Sequence, residues 1–216
     1  MFDDVTVIGA GRAGSAIAAR LRERGVAVRD DGKLRLLCVP DRAIADVARA
    51  IEPGPWVAHV SGGTPLGALA PHERRFSVHP LQTLTLARGP EQLDGAWGAV
   101  TAESGEARER ALWLAETLGL HPFELADDRR ASYHAGAAIA SNFLVTLYRA
   151  ASDLFEEAGA PPEALVPLMT RTIENGFELT GPIARGDWAT VDRHRAALHG
   201  SGFEAAYDAL AEVTRP

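Results

Sequence analysis

Six residues near the N-terminus carry the clearest chemical signal in this sequence. Gly9-Ala10-Gly11-Arg12-Ala13-Gly14 follows the β-branched run Val5-Thr6-Val7-Ile8 and leads into a helical pattern through Ala16, Ile17, Ala19, Arg20 and Leu21. Three glycines at that spacing, between a strand and a helix, suit a pyrophosphate. Gly9 permits the tight turn, Gly11 lets the backbone approach the anion, and Gly14 lets helix and strand pack closely. The helix N-terminus adds free N–H groups and the positive end of its dipole. A strand-to-helix turn that binds nothing has the same spacing and stays open as the alternative. Proton chemistry is narrowed by a second fact: Lys33 is the only lysine, and it sits beside the turn-like Asp31-Gly32. Arginines do not titrate in proteins, so proton transfer falls to histidine, tyrosine, a carboxylate or water. Cys38, the single cysteine, lies in the apolar run Leu36-Leu37-Cys38-Val39 and reads as a buried strand thiol. No cluster has metal-ligand spacing, and no metal is expected.

The elements that must position these residues follow from pattern. After the first strand and helix, Leu34–Val39, Trp56–Val60, Phe76–His79 and Trp97–Thr101 read as strands. A helix Arg42–Ile51 with Asp41 as its cap, a short helix from Thr64-Pro65, and a helix from Ser104 to Leu118 stopped by Gly119 alternate with them. That alternation predicts a parallel sheet with crossover helices. Beyond residue 125 only helical periodicity remains: a rod from Asp128 to Ala158, a helix from Pro161 to Thr180, and helices near Trp188–Leu198 and Phe203–Val213. The expected organisation is a trimmed Rossmann-like α/β domain, 1–126, followed by an all-helical substrate and dimerisation domain, 127–216. A net charge of -7 argues against nucleic acid as a partner. No stretch approaches the ~20 apolar residues that span a bilayer, and no leader pattern precedes the first strand, so a cytoplasmic location without a membrane partner is expected.

The segment Gly25–Lys33 cuts against a full dinucleotide fold. It holds about nine residues, where a parallel crossover needs about a dozen or more. The adenosine side of the sheet therefore reads as deleted and the cofactor pocket as half-open. Asp30 lies near the usual distance for a ribose carboxylate, and Arg29 or Arg12 can meet a 2′-phosphate; a solvated charged loop is the alternative.

With these residues placed, the chain resembles a family of Rossmann-type oxidoreductases whose C-terminal half is a helical domain of unassigned function. That family is similar to the group of 6-phosphogluconate, 3-hydroxyisobutyrate, ketopantoate and pyrroline-5-carboxylate dehydrogenases or reductases. The matching motifs are Gly9–Gly14, Val39-Pro40-Asp41, His59-Val60-Ser61-Gly62, His79-Pro80-Leu81-Gln82-Thr83, Tyr133-His134 through Ser141-Asn142, and Leu179 to Asp187. The resemblance implies cofactor contacts at Gly9, Gly11, Arg12, Gly14, Val39, Pro40 and Ser61. It also implies substrate contacts at Ser61, Gly62, His79, Arg185 and Asp187. A helix-capping turn at Ser61-Gly62-Gly63 and a histidine satisfied by backbone at position 79 are the structural alternatives.

In hydroxyacid dehydrogenases a lysine and an asparagine four residues apart line the active site. Here Ala138 stands four before Asn142, so the lysine is absent. His134 precedes Asn142 by two turns, roughly 12 Å along a helix axis. The two can flank a substrate, His134 as proton donor and Asn142 as the orienting amide, because the unperturbed histidine pKa lies near the working pH. Arg185, between two helices, suits a substrate carboxylate or phosphate. Asp187 also reads as a helix cap, and His194 on the next helix is a weaker candidate.

The function expected is an NAD(P)-dependent oxidoreductase acting on a small, anionic carbonyl or hydroxy acid, with NADP favoured over NAD. Imine reduction of the pyrroline-5-carboxylate type is the near alternative. A nucleotide-binding or redox-sensing protein without catalysis is the distant one. The long helix, with its small apolar face, predicts a homodimer.

Overall fold

The computed structural model, described here over residues 1–215, begins with β1 (Asp4–Ile8), α1 (Arg12–Glu23), β2 (Ala27–Val28), β3 (Leu34–Leu37) and α2 (Ile44–Arg49). β4 (Trp56–His59), β5 (Arg75–Leu81), β6 (Trp97–Ala102), α3 (Gly105–Thr117) and β7 (His121–Glu124) complete one sheet with its covering helices. The strand order is β2-β1-β3-β4-β5-β6-β7. α4 (Arg130–Ala138), α5 (Leu144–Glu157), α6 (Leu165–Glu174), α7 (Trp188–Leu198) and α8 (Glu204–Val213) follow. An α/β fold with a mostly parallel, Rossmann-like sheet and a helical C-terminal portion is what the sequence predicts.

Each face of the sheet explains the strand residues. Val5, Leu34, Leu36, Trp56, Ala58, Phe76 and Val78 pack against Ile17 and Leu21 of α1 and Ala111 and Leu114 of α3, forming the larger core. Such near-continuous apolar strands are what a sheet covered on both faces requires, and each buried Leu or Ile contributes roughly 1.5–3 kcal/mol. On the opposite face Leu37 and Val57 pack with Ile44, Ala48, Leu66 and Leu69. Further along that face the row turns polar, because His59 pairs in register with Ser77, and Ser77 with Thr101.

Four expectations need correction. The adenosine side is reduced rather than deleted: β2 pairs two residues with the start of β1, Asp4 with Ala27 and Val5 with Val28. Residues 29–33 then cross the face of β1 in place of a helix, so tightly that a Cβ on Gly32 would lie 2.6 Å from the Thr6 nitrogen. The sheet is also not wholly parallel, since β6 runs antiparallel to β5 and β7 adds a parallel edge strand beyond it. Neither Asp41 nor Thr64 caps a helix. A 3-10 turn at Asp41–Ala43 leads into α2, and one at Leu66–Leu69 starts from Pro65 without a side-chain cap. Finally, the rod from 128 to 158 is broken by a π-helical turn at Ile139–Phe143, and α6 ends at Glu174, where Gly176 and Phe177 take positive φ.

By packing, the chain divides into two units, 1–141 and from Asn142 onward. The last strand, β7, ends at Glu124 and only helices follow. α4 nevertheless stays with the sheet, because Arg130 and Tyr133 bond to groups on the loop after β4 and on β5. Among the described residues no helix is long and apolar enough to cross a membrane.

Candidate active site and cofactor cradle

The glycine loop closes over the end of β1. Gly9 has φ +114°, and a Cβ there would lie 2.4 Å from the Cys38 carbonyl oxygen. A Cβ on Gly14 would lie 1.9 Å from the Gly9 carbonyl oxygen, so α1 sits where only glycine lets it sit. Around Gly11 nothing comes within 4 Å of the same position. No side chain caps α1, whose N-cap is Gly11, so the first-turn N–H groups keep their capacity for an outside acceptor. Ser15 Oγ donates to the Ala10 carbonyl at 3.1 Å and braces the loop. Val39 and the exposed Pro40 lie beside it, past the carboxyl end of β3. This cradle fits a pyrophosphate. Burial pushes the Cys38 thiol up to about 12, which removes it as a nucleophile.

The loop that replaces the adenosine half is held by its own charges. Asp4 accepts from Lys33 N and Arg29 Nη2, both at 2.5 Å, and the Lys33 amide holds its carboxyl below the usual range. Arg29 also pairs with Asp31 at 3.0 Å, and the Asp30 carbonyl accepts from Arg35 at 2.7 Å. Arg29 is thus committed to the fold. Arg12, exposed in the first turn of α1, forms no ion pair among the described residues.

A second cluster forms between the loop after β4 and His79 on β5. Ser61 Oγ accepts from the N–H groups of Gly63 (3.3 Å) and Thr64 (3.0 Å) and donates to Thr64 Oγ1 (2.9 Å), so its hydroxyl is spent within its own turn. That turn presents Gly62 and Gly63 to α4. A Cβ on Gly62 would lie 2.8 Å from His134 Cδ2 and 2.8 Å from His79 Cε1; one on Gly63 would lie 3.0 Å from His134 Nδ1. The two imidazoles stand nearly perpendicular, 6.1 Å apart between centroids. His79 Nδ1 shares a 2.7 Å hydrogen bond with the Tyr133 hydroxyl.

Burial, then the charges of His134 and Arg130, lower His79 to about 4, while burial raises Tyr133 to about 12. Both groups are therefore neutral near pH 7. The Tyr133 phenol can donate to Nδ1, and that assignment puts the His79 proton on Nε2, the nitrogen 3.0 Å from the Gly62 position just described. His59 is fully buried and lowered to about 3, chiefly by burial; its Nδ1 accepts from Ser61 N at 3.2 Å. Arg130 donates to Asp127 (2.8 Å) and to the Ser61 carbonyl (3.0 Å), and Asp127 accepts from Leu66 N.

The structure thus brings Ser61, Gly62, His79 and His134 together. Asn142, Arg185 and Asp187 belong to the second unit. Asn142 is exposed in the π-helical turn, a feature common at functional sites. Arg185 donates to the Thr180 carbonyl; Asp187 accepts from the Thr190 hydroxyl at 2.8 Å and, as the cap of α7, from Thr190 N at 3.1 Å, and these bonds, the hydroxyl's first, lower its carboxyl. His194 Nδ1 bonds to Tyr207 at 2.8 Å. Sequence reasoning left out Asp127 and Arg130; His59 and Tyr133 entered within motifs and were given no role there. The position of Arg130, one turn before His134 on a helix, is the signal that was available. Among the described residues no group of three or more His, Cys, Asp and Glu is arranged to hold a metal.

A strand order that reverses at β1, with glycines closing over the reversal, defines a Rossmann-type nucleotide-binding fold. The chain belongs to the family described as a domain of unknown function, DUF2520, whose model matches residues 96–214. No curated protein matches the sequence. Among solved structures, it is similar to a Bacteroides fragilis protein assigned as an NADP oxidoreductase. The two are 20% identical, the match covers 97% of this chain and 96% of that one, and the TM-score is 0.83. A semialdehyde dehydrogenase NAD-binding protein from Cupriavidus necator, in complex with calcium and NAD, matches at 19% identity over 96% of each chain, TM-score 0.62. The 1-pyrroline-5-carboxylate reductase of Streptococcus pyogenes matches at 16% identity over 98% of this chain and 96% of that one, TM-score 0.63. At these identities the likeness is one of fold.

Proposed function

We propose that the protein is an NAD(P)-dependent oxidoreductase that reduces a small anionic carbonyl compound or oxidises the corresponding hydroxy acid. The observation that carries this reading is the pairing of two features in one unit. One is a pyrophosphate cradle in which Gly9 and Gly14 are sterically required; the other is a His79–His134–Tyr133 cluster formed by β5 and α4 beside the loop after β4. Gly9, Gly11 and Gly14 would hold the pyrophosphate of a nicotinamide dinucleotide, which when bound would supply or accept the hydride at the substrate carbon. His134, exposed beside Gly63, gives the proton to the developing alkoxide, or takes it in the reverse direction. His79, held neutral with Nε2–H available, donates a hydrogen bond to the same oxygen and favours its negative charge. Ser61, spent in its turn, positions Gly62 rather than the substrate. In the helical unit, Asn142 is the proposed orienting amide and Arg185 the proposed carboxylate ligand. NADP is favoured because Arg12 is unpaired in the first turn of α1.

Reduction of a cyclic imine is the second reading; the fold likeness to pyrroline-5-carboxylate reductase and the absence of a lysine from the cluster favour it. The test is NADPH oxidation with a panel of small 2-oxo acids, semialdehydes and cyclic imines, using wild type and His134→Ala. Turnover on one class, reduced about 10²–10⁴-fold in the variant, supports the reading and names the class. NADPH binding without turnover on any member would leave a nucleotide-binding sensor as the function.

We further propose a homodimer through the helical unit. Both apolar clusters draw only on residues before 121, whereas Val166, Leu168, Ile173, Phe177 and Leu179 are each more than half exposed. An apolar groove of about 750 Å³, lined by Leu147, Leu154, Ile183, Phe203, Tyr207 and Leu210, opens between α5, α7 and α8. Leu165, Val191, Leu198 and Ala211 are the buried apolar residues of this unit among those described, and so small a core beside so much exposed apolar surface favours a second copy as its cover.

A further inference from the structure

Arg130 is the largest fully buried side chain in the protein, 2% exposed, and the chemistry above makes no use of it. Burying a guanidinium costs several kcal/mol before its partners repay it. Here the repayment is incomplete: Nη2 has no hydrogen-bond partner among the described residues, and neither do the buried His59 Nε2 and Ser77 Oγ. If helix packing were all that was needed, an apolar side chain would serve better, so the charge calls for another reason.

Its bonds suggest one. Nη1 holds the Ser61 carbonyl at 3.0 Å, and Nε holds Asp127 Oδ1 at 2.8 Å. The Asp127 carboxylate in turn accepts from Leu66 N at 3.0 and 3.2 Å. The pair therefore grips both ends of the segment 61–66, whose middle is Gly62 and Gly63. Tyr133 and His134 follow Arg130 by three and four residues on α4, which places all three on one side of the helix. We propose that Arg130, anchored by Asp127, is a positioning residue for this site: it ties segment 61–66 to the first turn of α4 and so holds Gly62 between His79 and His134. The inference rests on the reading of those two histidines as the groups that serve the substrate.

The same charge acts on the rings. His79 is faced by His134, Arg130 and Tyr133 of α4 and by Asp41 from the segment after β3; burial, His134 and Arg130 lower it, and Asp41 opposes them. His59 is faced by Arg130 and His79 and lowered by burial and by both. Removing the Arg130 charge must raise both midpoints, while removing the Asp127 charge leaves Arg130 uncompensated and must lower them or leave them unchanged.

Histidine ring resonances of the full-length protein, followed by NMR against pH without substrate or cofactor, test this in Arg130→Met, Arg130→Lys and Asp127→Asn. The expected result is a rise for both His79 and His59 in Arg130→Met, no rise in Asp127→Asn, and loss of the His79–His134 ring contact in both. Arg130→Lys should keep the midpoints low yet lose the ring contact, because an ammonium has no fork to span Ser61 and Asp127. Shifts of the same sign in Arg130→Met and Asp127→Asn, or an intact ring contact in all three variants, would overturn the proposal. If Arg130→Met does not fold, the ring contact in the other two decides. Because no turnover is read, a protein without reductase activity can still pass or fail this test.

Discussion

Two imidazoles kept neutral by burial make an acid sensitivity that can be worked out in advance. In the unfolded chain His59 and His79 take up protons near the ordinary histidine value of 6.5; in the fold they do so at about 3 and about 4. Between pH 7 and pH 5 the unfolded state therefore binds protons that the native state refuses, and stability must fall as pH falls. Linkage at about 1.4 kcal/mol per pH unit, less the part of the window above 6.5, gives about 2 kcal/mol for each ring and about 4 for the two. Against a typical total of 5–15 kcal/mol that loss is large. The carboxylates held below their ordinary values, Asp4, Asp187 and Glu204, start from 3.8 to 4.5 and act at lower pH. The histidine window thus stands clear of theirs. Urea unfolding at pH 7, 6 and 5, followed by tryptophan fluorescence, measures the effect directly, and His79→Asn should remove about half of it. A change below about 1 kcal/mol between pH 7 and 5 would show that these rings titrate as in the unfolded chain, and the argument for a neutral His79 donor would go with it.

Three further outcomes follow from the geometry. Gly62→Ala puts a methyl against two rings at once, so turnover should fall at least tenfold, with a stability cost of about 1–3 kcal/mol in denaturant; an unchanged rate would mean that the His79–His134 spacing is irrelevant. Calorimetric titration should show NADPH and NADH within about a hundredfold of each other, roughly 2.7 kcal/mol, because Arg29 is tied to Asp4 and Asp31. Sedimentation at micromolar concentration should give a dimer, and Leu168→Glu with Ile173→Glu should yield monomers with an intact N-terminal unit; a wild-type monomer would defeat the proposed cover for α6.

What the sequence revealed depended on how local the cause was. The β1–α1 turn could be read because Gly9 and Gly14 each answer to a backbone atom close by: Gly14 to Gly9 itself, Gly9 to the end of the neighbouring strand. β2 was invisible, since two residues carry no period, and what keeps them is a loop crossing β1 at Gly32. β7 hid for another reason. His121-Pro122-Phe123-Glu124 lacks apolar alternation, and Pro122 argues against a strand, yet an edge strand tolerates proline. The antiparallel turn from β5 to β6 was masked by the expectation that helices and strands alternate throughout.

The site divides along the same line. His134, Gly62 and His79 stood in motifs, so their types could be noticed, but nothing local said that they meet. Arg130 bonds to Ser61 and Asp127 to Leu66, partners 69 and 61 residues away. On a one-dimensional reading Asp127-Asp128-Arg129-Arg130 is a solvated charge run ahead of a helix. The outer pair parts from the inner one only when the fold buries one end: Arg130 goes inside with Asp127 as counter-ion, while Asp128 and Arg129 stay exposed and pair loosely at 3.7 Å. A charged quartet at a helix start is thus ambiguous by sequence. The signal that resolves it is spacing, since Arg130 and His134 stand four apart and share the helix face that the strand ends must cover.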